Sequence, residues 1–539
     1  MSDIPILSAS PIEVKTKLSF SEVVESSLTR FRMISGDELH GQITAQSLLT
    51  GEIPRLSPLD EIDSGYDVRL VKIPEGMRLD LARERATHIA ELNSPDRFLA
   101  RLRKSREPFV VPDISNSSLL ERLHRDHQVV GFNDLRLESP VPRNGERRVS
   151  RTSSEANIEE NIAGQARIPI AMGAMPDIGS ALAYSTMAMM DGFAFVSRDK
   201  VLSDINSQVE LVGLVLDTLR TCELPEQMIG EGFLTEKHLR EFWEIMEFSE
   251  NFDINLARDR YIIELRESWI NNIIPAVEAS EKGFERAKKL IDAGVKGVRI
   301  YSPEGGWEII EATERLNNYR NERLREGKGR FIIVAGQIMH IETALEAEQA
   351  GVDVLIIGVA GGGNCITSEK TDIPVNVPSL MHLLRGRVKI PLGIEGGGVG
   401  SHLIDALTLG ASFVCKSGEL ISLETVGGKY CLQESAKARH GSKQWRVLHS
   451  GEASGPSKWW RQLTNTLGQP RFVEGESSYR SFKELRSMST IVRELLEAVS
   501  DGLVFQRRPS ITALHLDGTD RFVQVSDAAD RLSSAYSIK

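Results

Sequence analysis

Eight short β-rich runs recur from residue 168 onward, each closed by a glycine, proline or polar residue and followed by a helical pattern, and they limit the folds open to this chain. They are IPIAMGAM from Ile168, GFAFVSR from Gly192, NIIPAVEA from Asn272, VKGVRIYS from Val295, RFIIVAGQ from Arg330, VDVLIIGV from Val352, IPLGIEGG from Ile390 and ASFVCKSG from Ala411. Nearly continuous apolar runs imply burial on both faces, hence parallel strands covered by helices. Stretches such as SEKGFERAKKLIDAG and IETALEAEQAG supply those helices. Eight β/α units fit an α/β architecture of the closed (β/α)8 TIM barrel type better than the alternative, an open doubly wound sheet.

The rhythm leaves part of the chain over. Residues 1–127 form an N-terminal module, 128–525 the barrel domain and 526–539 a C-terminal tail. Just before the first strand, VPRNGERRVSRTSSEANIEEN reads as an exposed loop. Residues 200–270 interrupt the barrel with an acidic, aromatic-rich insertion of helical periodicity. After about residue 430 come Gly-, Ser-, Lys- and Trp-rich loops, then the helix-like TIVRELLEAVSDGL and the strand-like RFVQVS.

Composition narrows the function. A net charge of −11 disfavours nucleic acid as a partner, although backbone amides can still hold a small anion. No apolar run is long enough to span a bilayer, and MSDIPILSAS lacks the basic start of a signal peptide, so a cytoplasmic protein without a membrane partner is expected. Four cysteines without CxxC spacing argue against a disulfide framework or a zinc site.

In a (β/α)8 barrel, chemistry sits at the C-terminal strand ends. Three consecutive ends are glycine-rich: GVAGGGNCIT places Gly358, Gly361, Gly362 and Gly363 ahead of Cys365, IEGGGVG gives Glu395, Gly396, Gly397 and Gly398, and FVCKSGEL gives Ser417 and Gly418. Amides freed by glycine approach an oxyanion closely, which describes a nucleotide monophosphate cradle beside a thiol. Outward-facing amides also lower a thiol pKa, so Cys365 is the candidate nucleophile. The alternative is a small residue packed against glycine. Cys222, Cys415 and Cys431 lack such a setting and read as structural.

GVAGGGNCIT resembles the catalytic loop GxGPGSxCxT of the IMP dehydrogenase and GMP reductase family, with Cys365 and Thr367 in register. The resemblance covers about 130–200 and 270–525, through GFNDLRL, IPIAMGAMPDIGSALA, DGFAFVSRD, VAGQIMHIETALEAEQAGVDVLIIG, the ribose and phosphate loops, SGEASGPSKWWRQ as the mobile flap, and RFVEGESSYRSF after it. It implies thiolate addition at purine C2, hydride exchange with NAD or NADP, and resolution of the adduct by water or ammonia. Thr367 and Glu474 correspond to the dyad that activates water or ammonia, and Arg461 lies one residue from the dehydrogenase base. Met175, Gly363, Glu395, Gly396, Gly397, Gly398, Ser417, Gly418 and Glu452 fall among the substrate-binding positions. Tyr301, Gln337 and Gly358 fall among the cofactor positions. Loop carbonyls of Ala360, Gly362 and Cys365 correspond to a K+ site. A homotetramer with a purine nucleotide substrate is implied.

The departures are specific. Gly363 stands for a phosphate-binding serine, Glu395 for the aspartate on the ribose hydroxyls, and Tyr301 for the aspartate on the nicotinamide ribose. Three readings stay open: an IMP dehydrogenase-like enzyme, a GMP reductase-like deaminating reductase on a purine or modified purine nucleotide, and a nucleotide-binding barrel without redox chemistry. In the first module, FRMISGDELHGQITAQSLLTGEIPRLSPLDEIDSGYDVRL resembles the opening of dCTP deaminase and dUTPase-like proteins, whose catalytic segment is not recognisable here. The 200–270 insertion stands where many family members carry paired CBS modules, but is too short and too helical for them, so no adenine-nucleotide regulation is expected.

Overall fold

The computed structural model describes residues 68–71, 75–138, 140, 148–152, 157–175, 178–198, 205–302, 305–359, 375–396, 402–425, 432–435, 445–450, 477–482, 486–517 and 521–525. All eight apolar runs become strands: β1 (Ile170–Met172), β2 (Ala194–Val196), β3 (Ile273–Glu278), β4 (Gly297–Tyr301), β5 (Ile332–Ile338), β6 (Val354–Ile357), β7 (Leu392–Glu395) and β8 (Phe413–Lys416). They pair in parallel and close on themselves, β8 returning to β1 through Val414↔Ile170 and Lys416↔Met172. The fold is therefore a (β/α)8 barrel.

A ring of helices covers it: α1 (Ala181–Met189), α2 (Ile205–Thr221), α3 (Glu281–Asp292), α4 (Trp307–Arg325), α5 (Ile341–Ala350), α6 (Val377–Leu384), α7 (Leu403–Thr408) and α8 (Met488–Phe505). Their starts are capped by the residues the sequence supplies, as where the Ser280 hydroxyl accepts from Gly283 N–H at 3.2 Å and the Ser180 hydroxyl from Ala183 N–H at 2.9 Å. α2 packs between α1 and α3, so the first helix after β2 is the barrel's own crossover. Helices Glu236–Met246 and Ile254–Ile270 follow it before β3. α8 packs against both α7 and α1 and closes the ring.

Segments before the first barrel strand join this core. Helix Glu75–Leu92 lies on α8 and α1, and helix Pro95–Arg106 on helix Glu236–Met246. Buried Asn93 ties them down: its amide donates to the carbonyls of Ile89 (2.9 Å) and Met189 (2.8 Å), and its oxygen accepts from Arg101 (2.7 Å) and the Trp269 indole (3.1 Å). Strand Val68–Val71, the YDVRL segment, pairs antiparallel with Leu432–Ser435 at the edge of a four-stranded sheet. Strand Phe522–Gln524 pairs with Leu135–Leu137.

The segment expected as an exposed loop before β1 ends differently. Glu160 and Asn161 are buried in a hairpin, Glu160–Ile162 with Gln165–Arg167, whose Ile162 packs into the barrel interior. A barrel needs its lower end closed against water, and this polar stretch supplies the plug. Above it, Phe193, Phe195 and Phe413 cluster with centroids 5.4–6.2 Å apart, Phe193 stacked on Phe195 and edge-to-face with Phe413. Gly393 makes room, since a β-carbon there would lie 2.3 Å from the Phe413 ring. Beneath them Asp191, held at φ 60°, faces Arg101 at 3.0 Å in a buried pocket shared with Arg167 and Glu159. Burial pushes its carboxyl up to about 7 and draws Arg167 down to about 9.

Candidate active site at the C-terminal mouth of the barrel

Strand alternation decides which side chains enter the mouth. Val298 and Ile300 of β4 pack outward into the helical shell, which turns Arg299 and Tyr301 inward. Leu392 and Ile394 of β7 likewise face the shell, leaving Gly393 and Glu395 inside; on β8, Val414 faces out while Phe413 and Cys415 face in. Register places Glu395 beside Cys415, and Cys415 beside Ala171.

Directly above the aromatic layer, Arg299 and Glu395 form a two-pronged ion pair. Nη1 of Arg299 donates to Glu395 Oε1 at 3.1 Å, and Nη2 donates to Oε2. Gln337 Nε2 also donates to Oε2, at 3.4 Å. The Arg299 side chain is 0% exposed and that of Glu395 15%, so the cation forms the floor and the carboxylate opens on the mouth. Burial acts to lower the Arg299 pKa, yet the adjoining carboxylate holds it above its ordinary value. Its guanidinium lies 4.9 Å from the centre of the Phe195 ring and 5.7 Å from that of Tyr301. Burial, then the neighbouring Glu395, push the Cys415 thiol well up, so Cys415 is a protonated thiol here.

Tyr301, at the end of β4, is also covered by Arg198 from the end of β2, 4.6 Å from the ring centre. Nearby, Glu278 is engaged by Arg286, whose Nε and Nη2 each donate at 3.0 Å. Gly358 follows β6 with φ 100°, a conformation glycine favours, and a β-carbon there would meet the Glu395 carbonyl at 2.9 Å. Gly396 follows Glu395 directly. Ser417 and Gly418 follow β8, where Gly418–Leu420 makes a single 3-10 turn. Gly173 N–H donates to the Lys416 carbonyl at 2.9 Å, stitching the first and last strand ends together. Met175, two residues on, packs against the shell.

The structure thus brings Glu395, Gln337, Tyr301, Gly358, Gly396, Ser417 and Gly418 to one end of the barrel, where they occupy strand ends or the residues just after them. Gln337, expected toward a cofactor, is bonded to Glu395. Ala360, Gly362, Gly363, Cys365, Thr367, Gly397, Gly398, Glu452, Arg461 and Glu474 lie outside the described residues. Sequence reasoning missed Arg299 and Arg198. For Arg299 a signal exists: a charged residue two positions from a strand's end in the apolar run VKGVRIYS has to face the barrel axis or the shell, and either needs a partner.

Comparison with known proteins agrees with this architecture. Among curated proteins, an inosine-5'-monophosphate dehydrogenase of Vigna unguiculata is 24% identical over 247 residues, 44% of this chain and 46% of that protein. One from Rhizobium tropici is 23% identical over 273 residues, 49% of this chain and 51% of that protein. A GMP reductase of Vibrio vulnificus strain YJ016 is 21% identical over 263 residues, 46% of this chain and 69% of that protein. The chain spans about half the length of the two dehydrogenases. Among the described residues no helix is long and apolar enough to cross a membrane. Residues 130–536 match the family described as the IMP dehydrogenase / GMP reductase domain, and with a closed eight-stranded barrel over that span the chain belongs to the IMP dehydrogenase and GMP reductase family.

Proposed function

We propose that the protein is a purine nucleotide oxidoreductase that attacks purine C2 through Cys365, in the dehydrogenase direction. The observation that carries this reading is the junction of β6 and β7. The cysteine-bearing segment leaves β6 at Gly358, and Gly358 lies against the Glu395 carbonyl, so the thiol segment begins beside a carboxylate facing the mouth. A thiolate suits C2 because it adds readily and leaves again. In this reading the sulfur bonds to C2, the C2 hydrogen departs as hydride, and water activated by Thr367 and Glu474 displaces the sulfur; Arg461 takes up the water's proton. Glu395 holds sugar hydroxyls, while Gly363, Gly396, Gly397, Gly398, Ser417, Gly418, Glu452 and Met175 line the nucleotide.

NAD or NADP, when bound, supplies the hydride acceptor. The described residues fit a dinucleotide in part. Tyr301 offers a flat aromatic face, and Arg198 stacked on it offers a cation to a phosphate, while the carboxylate in register with Tyr301, that of Glu278, is engaged by Arg286. K+ on the carbonyls of Ala360, Gly362 and Cys365, a homotetramer and a cytoplasmic location complete the proposal.

Incubation of IMP with NAD, and separately of GMP with NADPH, while following absorbance of the reduced nicotinamide, separates dehydrogenase from reductase. Turnover of IMP that disappears in Cys365→Ala, with covalent labelling of Cys365 by 6-chloropurine ribotide, is the expected result. Full turnover by Cys365→Ala overturns the covalent mechanism. The guanidinium-flanked Tyr301 favours one second reading, a nucleotide-binding barrel without redox chemistry. It predicts IMP binding with no change in nicotinamide absorbance under either condition.

A further inference from the structure

Between Thr425 and Arg486 the described strands belong to the four-stranded sheet and none to the barrel. The chain leaves the barrel and rejoins it at one point, where Leu423 N–H donates to the Arg486 carbonyl at 3.0 Å. Glu424 ties the two ends together. Its Oε1 accepts from the Ser487 hydroxyl at 2.8 Å and its Oε2 from Met488 N–H at 2.7 Å. The Glu424 side chain is 0% exposed, and a carboxylate so deep needs a cation as well as neutral donors. Arg85 supplies it, its Nη1 donating to Oε1 at 3.1 Å. The helix that carries Arg85, Glu75–Leu92, is held along α8: the Thr490 hydroxyl donates to Glu84 at 2.6 Å, Arg493 donates to Glu91 at 2.8 Å, and His88 Nδ1 lies 3.2 Å from Ser489 Oγ.

The same N-terminal segment also reaches the edge of the sheet. Three residues join strand Val68–Val71 to that helix, a span of at most about 14 Å, so the strand cannot move far from Arg85. Val68–Val71 pairs with Leu432–Ser435, which pairs with Trp445–Ser450, which pairs with Ser477–Phe482. In the last pairing Ser450 stands opposite Ser477, so the stretch 451–476 starts and ends at one register-fixed pair. That stretch carries Arg461 and Glu474.

We infer that Arg85 and strand Val68–Val71 are positioning elements for the water step, fixing at its root and at its edge the sheet that carries Arg461 and Glu474. The inference rests on the purine nucleotide reading above and gives the N-terminal segment a part in it. In that step the water oxygen bonds to C2 while the carbon–sulfur bond breaks and its electron pair returns to sulfur. One water proton goes to Arg461 and the other stays with the product. Sulfur addition and hydride departure come earlier and use Cys365 and the nicotinamide, so only the later step depends on this sheet.

The test compares wild type with Arg85→Met and with the strand variant Arg69→Pro/Leu70→Pro, at saturating IMP and NAD. Successive residues of an antiparallel strand donate to opposite sides, so two consecutive prolines remove whichever N–H faces Leu432–Ser435. Stopped-flow absorbance gives the rate of the first turnover, steady-state absorbance the overall rate, and mass spectrometry after acid quenching the purine bound to Cys365. In both variants the first turnover keeps the wild-type rate while steady-state turnover falls about 10- to 100-fold and the adduct accumulates, because a small misplacement of a catalytic group costs that much. General loss of structure slows both rates instead. The strand is no part of the barrel, so its variant decides alone should Arg85→Met fail to fold. In a folded variant, both rates falling together, or neither changing, overturns the inference and leaves the purine reading intact. Wild type that forms no reduced nicotinamide from IMP with NAD or NADP overturns both.

Discussion

Among the described residues, Glu395→Gln removes the only carboxylate in contact with the Arg299 guanidinium, which is 0% exposed, and the cost follows from that burial. Removing one partner of a buried ion pair typically costs about 3–5 kcal/mol, because the other charge stays in a low-dielectric site without compensation. Arg299 has no route to solvent: the aromatic layer lies below it, and its Nε already lacks a partner among the described residues. The full range is therefore expected for Glu395→Gln. Arg299→Met is milder, about 1–3 kcal/mol, because Glu395 is 15% exposed and keeps its bond from Gln337. Combining the two removes both charges, so the double variant is more stable than Glu395→Gln alone, with a coupling of at least about 2 kcal/mol. Urea unfolding followed by tryptophan fluorescence measures all three, with Trp269 fully buried as reporter. Equal costs for the two single variants that simply add in the double would refute the reasoning, since it would mean that neither charge depends on the other.

Asp191 gives a pH test. Its folded carboxyl, raised chiefly by burial from 3.8 to about 7, binds a proton that the unfolded chain releases earlier. Its contribution to stability is present below the unfolded value and is lost as pH rises from about 4 to about 7, by at most about 1.4 kcal/mol per pH unit. Asp191→Asn, which tolerates φ 60°, should gain on the wild type progressively across that window, read from denaturation midpoints at several pH values; a constant difference would refute it. At the mouth, Gly358→Ala forces an alanine into φ 100° and against the Glu395 carbonyl, for a loss of about 1–3 kcal/mol and weaker IMP binding. Unchanged stability and affinity would show that the β6 end is free to shift.

The barrel was legible in the sequence because each strand is buried on both faces, and burial writes an apolar run that no helix or half-exposed strand requires. All eight runs, from IPIAMGAM to ASFVCKSG, became barrel strands in order. The glycine-rich ends and Glu395 were legible for a related reason: strand direction alone assigns them to the C-terminal mouth. The floor of the site was not. Arg299 and Glu395 stand 96 residues apart and meet only because closure brings β4 and β7 to face each other across one axis. The same closure turned a polar stretch before β1 into the plug under Phe193, and drew Gln337 onto Glu395. Local pattern determined the strands and which ends carry polar residues, because burial and direction are properties of each segment alone. Which charges neutralise each other inside the barrel was decided by tertiary structure, because a buried cation is tolerable only where the fold delivers its partner.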